Sequence, residues 1–118
     1  MEPRSAPVVV ILLLRSPEWT PYATVVRLAS AFVALGARLT IFVMDDAILG
    51  LVPVHGRGQN SFPLFPVLQA GAQIVVCQST AEIRGMGPED LPSGVRFETQ
   101  VQLGQLAGSA DLFLPFTA

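Results

Sequence analysis

The chain holds a single cysteine, and its setting is the first place to look for chemistry. Cys77 closes the apolar run "QIVVC" and is followed at once by the polar segment "QSTAEIRGM". Ser79-Thr80-Ala81-Glu82 matches a capping box, so a helix is expected to start there. A thiol at a strand end beside a helix start meets unpaired backbone N–H groups, here those of Gln78 to Ala81, and the positive end of the helix dipole. Both favour a thiolate over the free thiol, whose pKa is about 8.5. Arg84, about one turn further on, adds positive potential, and the Glu82 carboxylate works against it. With no second cysteine to resolve an oxidised form, a disulfide cycle within one chain is excluded. Three chemistries remain for a lone reactive thiol: acyl transfer, redox sensing, and carriage of sulfur as a persulfide. The alternative is a buried structural thiol, since free cysteine is among the most buried residue types.

Other chemistry-bearing residues are sparse. His55, the only histidine, lies in the loop "PVHGRGQNS". A Cys-His hydrolase would need it as base, and it is retained as a neighbour of the site. Asp45 and Asp46 follow an apolar strand. They read as a helix cap with a solvated neighbour. Neither has a His or Cys at ligand spacing, so no metal site is expected. "HGRGQN" lacks the Lys-Ser/Thr of a phosphate loop. Trp19 and Tyr22 flank the turn after the first strand, where they line either a pocket or a packed helix start. No cofactor is implied.

These residues need a scaffold, and composition limits which one. With 118 residues the chain fits one domain with a real core. Hydrophobic residues make up 51% and charged residues 14%, which is rich for a small monomer and points to apolar surface buried between subunits. There is no lysine, and the arginines are scattered along the chain with a net charge of −2. Nucleic acid is therefore not an expected partner. The opening apolar run stops at Arg15, has Glu2 where a signal peptide is basic, and lacks a cleavage site. It is also too short to span a bilayer. It reads as a buried strand, and the lone cysteine suits a reducing cytoplasm.

The elements alternate. Val8 to Leu14 is a continuous apolar strand of the kind covered on both faces. Thr20 is placed to cap a helix over Pro21 to Leu35, ended by Gly36. Arg38 to Met44 is the second strand, followed by a short helix "AILGLV" capped by Asp45 or Asp46. A helix over Pro63 to Ala70 leads to the third strand, Gln73 to Cys77. "GMGPEDLPSG" is a turn-rich link, Val95 to Thr99 is ambiguous, Gln100 to Gly108 is a helix, and Asp111 to Phe116 is a final strand. This order predicts a single three-layer α/β domain with a mainly parallel sheet flanked by helices. Sites in such sheets form at the carboxyl ends of the strands, which is where Cys77 lies.

The stretch "VVVILLLRSPEWTPYATVVRLASAFVALGARLTIFVMDDAILGLV", followed by "GAQIVVCQSTAEIRGM", resembles the DsrE/DsrF-like family of small sulfur-relay proteins, which includes TusD-like subunits. The most specific feature is the cysteine ending the third strand ahead of a small-polar helix with Arg-Gly. The resemblance implies a cytoplasmic homo-oligomer, often a trimer or hexamer. It implies that Cys77 accepts sulfane sulfur and passes it to a small carrier of the TusA or DsrC type, and, through the shared "FVMDDAI" turn, that Asp46 shapes the rim of the pocket. The family also includes subunits without the cysteine that act only as scaffolds. A silent scaffold subunit and a small-ligand-binding module of the same fold are therefore the alternatives to a sulfur carrier.

Overall fold

The computed structural model describes residues 6–53 and 56–117. Five strands form one sheet: β1 (Val8–Leu13), β2 (Arg38–Val43), β3 (Gln73–Cys77), β4 (Arg96–Glu98) and β5 (Leu112–Phe116). Their order is β4-β3-β2-β1-β5, and every pairing is parallel. Four α-helices connect them: α1 (Thr20–Ala34), α2 (Phe65–Gln69), α3 (Gln78–Ile83) and α4 (Gln100–Ser109). Short 3₁₀ segments occupy Asp45–Leu51 and Pro88–Asp90.

Strand order and crossover handedness together decide which face each helix covers. From β1 to β4 the chain steps steadily across the sheet, and parallel crossovers are right-handed almost without exception, so these connections share one face. The return from β4 to β5 runs the opposite way and so falls on the other face. The packing agrees. Val9, Ile11, Leu13, Leu39, Ile41, Val43, Ile74 and Val76 form the major core with Tyr22, Val25 and Ala29 of α1, Ala47, Ile48 and Leu51 of the 3₁₀ segment, and Val67 of α2. At its centre Ile41 sits in register between Ile11 and Ile74. The second face carries a smaller cluster of Phe42, Val75 and Cys77, packed by Leu12, Met44 and, from α4, Leu103 and Leu106.

The strands bear out the reading of continuous apolar runs as doubly covered. Val95 to Thr99 resolves as a three-residue edge strand. Two caps differ from expectation. Trp19 takes the N-cap position of α1, with Thr20 and Pro21 inside its first turn. Met44 takes that position ahead of the 3₁₀ segment, and neither aspartate caps it. Gly36 ends α1 as expected, at φ +84°, with the Ala37 N–H donating back to the Phe32 carbonyl at 3.0 Å. The start of β1 is held by Asp111, whose Oδ2 accepts from the Val8 N–H at 2.7 Å.

Candidate functional site

Cys77 is both the last residue of β3 and the N-cap of α3. The helix thus begins two residues earlier than the Ser79 capping box suggests. Of the two side chains invoked for that box, Glu82 is used otherwise: its Oε1 accepts from Gln78 Nε2 at 3.0 Å across the outer face of α3. Ser79 is exposed, whereas Thr80 and Ala81 are buried. Ala81 belongs to the major core, which anchors α3 and fixes where its first N–H groups lie.

The thiol itself is 1% exposed. It lies on the thinly covered face, beside Phe42 and Val75 and under Leu103 and Leu106 of α4. Burial pushes its pKa up. Hydrogen bonds to the sulfur from the Thr80 backbone N–H, the Thr80 hydroxyl, the Gln100 amide and the Ser79 backbone N–H pull it down, and the donors win, leaving the thiol below its ordinary value. Thr80 is well prepared for this. Its Oγ1 accepts from the Asp45 N–H at 3.1 Å, so its own proton is free for the sulfur. Gln100, the first residue of α4, reaches Cys77 Sγ with Nε2 at 3.7 Å.

The remaining candidates divide. Asp46 and Arg84 meet each other: Arg84 Nη2 donates to Asp46 Oδ1 at 2.8 Å. This half-exposed pair ties the end of α3 to the 3₁₀ segment and engages the cation that the sequence suggested for the thiolate. Pairs of this exposure contribute at most about 1 kcal/mol. His55 lies outside the described residues. Among the described residues no cluster of three His, Cys, Asp or Glu side chains could hold a metal.

Two contributions were missed by sequence reasoning. One is the Thr80 hydroxyl, treated there only as a backbone donor. The other is Gln100. A signal for Gln100 existed: Thr99 and Gln102 form a capping box, with the Thr99 N–H on Gln102 Oε1 at 2.7 Å and the Gln102 N–H on Thr99 Oγ1 at 3.4 Å. That box starts a helix directly after β4, on the same sheet edge as Cys77, and so directs its first side chain toward the sulfur.

The surroundings differ from a small-molecule active site. A cleft of about 380 Å³ lined by Val8, Ala37, Arg38 and Gln73 lies at the opposite end of the strands. A cavity of about 300 Å³ lies beside α3 between Ala81, Met86 and Phe97, without Cys77 in its lining. The carboxyl edge instead shows scattered exposed apolar side chains: Trp19, Leu49, Val52, Ile83 and Val101. Arg15 lies over the Trp19 ring, 4.9 Å from its centroid.

The sequence profile of the DsrE/DsrF-like family matches residues 8–116. No curated protein gives a significant sequence match. Among solved structures, the YchN protein of E. coli is similar at 23% identity and a TM-score of 0.79, covering 95% of this chain and 100% of that one. A protein of unknown function from Bacteroides thetaiotaomicron is similar at 16% identity and a TM-score of 0.73, covering 93% and 95%. Another, from Methanobacterium thermoautotrophicum, is similar at 18% identity and a TM-score of 0.67, covering 93% and 99%. At these identities the likeness is one of fold.

Proposed function

Because this chain belongs to the DsrE/DsrF-like family, we propose that it is a sulfur-transfer protein in which Cys77 carries sulfane sulfur as a persulfide. The observation that supports this most is the place of Cys77, the last residue of β3 and the N-cap of α3, with the Gln100 amide of α4 donating to its Sγ at 3.7 Å. A purely structural thiol needs no such setting, because a neutral S–H is a weak hydrogen-bonding group.

The chemistry is two displacements at sulfur. The Cys77 thiolate attacks the outer sulfur of a donor persulfide, the donor's S–S bond breaks, and the donor thiolate leaves. Cys77 then bears the S–SH group. An acceptor thiolate attacks that outer sulfur, and Cys77 leaves as thiolate. A low-pKa thiolate is the better leaving group in the second step. The N–H groups of Ser79 and Thr80 suit the anion in both. No metal or organic cofactor enters either step.

The partner in this reading is a small sulfur-carrier protein of the TusA or DsrC type. The exposed apolar residues at the carboxyl edge, Trp19, Leu49, Val52, Ile83 and Val101, support a protein partner and a homo-oligomer over a free small molecule, and the family resemblance makes that oligomer a trimer or hexamer. No helix among the described residues is long and apolar enough to cross a membrane. We assign the protein to the cytoplasm, where its thiol stays reduced.

The near-complete burial of Cys77 favours a second reading, in which this chain is a silent scaffold subunit. Intact mass after incubation with a persulfide donor separates the two. The sulfur-carrier reading expects one added sulfur atom on the native chain, released by a thiol reductant and missing from Cys77→Ser. Native protein that stays folded and gains no sulfur would leave the scaffold.

A further inference from the structure

We infer that α4 is a movable cover over Cys77 and that its local opening controls access to the sulfur. This inference rests on the sulfur-carrier reading. Displacement at sulfur needs an approach to that atom, yet Cys77 is 1% exposed. Something must move, and the surrounding elements differ in how firmly they are held. From behind, the sulfur is closed by the sheet and its major core. Below it, α3 is fixed by buried Thr80 and Ala81. Above it lies α4, none of whose residues is buried.

The make-up of α4 favours opening. Gly104 and Gly108 lie within the helix, where glycine is less favourable than alanine. Within the chain neither has packing as its reason: a β-carbon at either position would meet nothing within 4 Å. Neither adopts positive φ. The helix holds the sheet only through partly buried side chains such as Leu103 and Leu106. It must also span from β4 at one edge of the sheet to β5 beyond β1. A segment with few buried contacts and weak helix propensity belongs to the low-stability end of a fold.

Opening leaves the sulfur chemically competent. Of the donors to Sγ, only the Gln100 amide travels with α4. The Ser79 and Thr80 N–H groups and the Thr80 hydroxyl stay on α3, and the Asp45 N–H still orients that hydroxyl. The closed form shields the sulfur from adventitious oxidants, and the open form offers it to a partner with most of its donors in place.

The test is the rate at which iodoacetamide alkylates Cys77 in the folded protein, read by intact mass across a urea series. The series covers wild type, Gly104→Ala, Gly108→Ala, the double variant and Thr99→Ala. Each alanine should slow labelling about fivefold and the pair about 25-fold. Loss of the Thr99 cap should speed it about fivefold. Wild type should be labelled well below the urea concentration of global unfolding. Three results would each overturn the cover: glycine variants labelled at the wild-type rate, wild type labelled as fast as a free thiol, or labelling only through global unfolding. Treating the same proteins with a persulfide donor keeps the two proposals apart. Labelling that follows α4 without sulfur uptake removes the carrier reading and keeps the cover. Uptake at a rate indifferent to the glycines does the reverse.

Discussion

On one face of the sheet, α1, the 3₁₀ segment and α2 bury Tyr22, Val25, Ala29, Ile48, Leu51 and Val67 against three strands. On the other, α4 crosses alone and buries none of its own residues, and there the thiol sits. Chain order and crossover handedness impose this division: three connections fall on one side and a single return on the other. The difference separates two tasks. Packing on the first face supplies stability, and the second covers the Cys77 thiol with a single helix. The largest effect should therefore come from the first face. Ile41→Ala, at a fully buried site between Ile11 and Ile74, should cost about 2–5 kcal/mol. Leu106→Ala, from partly buried α4 packing, should cost about 1 kcal/mol. Urea midpoints measure both, and equal costs would break the comparison.

The same asymmetry explains what could be read without coordinates. β1, β2 and β3 are covered on both faces, so their apolar runs are continuous and their bounds come out within a residue. β4 is a three-residue edge strand with Arg96 and Glu98 on it, and nothing in "VRFET" imposes a period. Capping misled at α3 and α4 as well as at the two caps corrected above. Ser79 to Glu82 satisfies the local pattern of a box, but the buried Cys77 and Ala81 decide where α3 starts. The box that does form, Thr99 with Gln102, precedes a weakly apolar helix and draws little notice. Cys77 as the candidate site was legible because strand end and helix start are adjacent in sequence. The Gln100 and Thr80 side-chain donors were not, because they depend on how α4 crosses the sheet and on the turn at Asp45.

A smaller effect tests the electrostatics of the thin face. Cys77 titrates below its ordinary value in the folded chain because its donors outweigh its burial. Folding then favours the thiolate. That contribution is absent at low pH, where the thiol is protonated in both states. It grows as pH rises through the lowered folded value and is complete above the unfolded value near 8.5. The stability of wild type relative to Cys77→Ser should therefore increase as pH rises through the lowered folded value and level off above the unfolded value near 8.5, read as diverging urea midpoints. Gln100→Leu should reduce the divergence without removing it, because the donors from α3 remain. A flat difference would mean that burial and the donors cancel, and one that falls with pH that burial outweighs them.

The smallest effect lies beneath the thick face and sharpens the contrast from the other side. Tyr22 is 1% exposed, and its hydroxyl has no hydrogen-bond partner. It lies against Gly50, where any β-carbon would overlap it, so glycine at that position makes room for the ring. Burial pushes the Tyr22 pKa well above its ordinary value, and the phenol stays neutral throughout the range in which the protein folds. Removing a buried tyrosine hydroxyl that has a partner costs about 1 kcal/mol, but here the folded state already bears the desolvation cost with no bond in return. Tyr22→Phe should thus change stability by less than about 0.5 kcal/mol, with loss of the penalty offset by the small void left behind. A loss above about 1.5 kcal/mol would show that the hydroxyl is bonded after all. The thick core would then be as fully satisfied as the sulfur, and the contrast would rest on packing depth alone. A neutral result would mean that apolar burial on this face is large enough to carry an unpaired hydroxyl, while on the thin face the Gln100 amide reaches the buried sulfur.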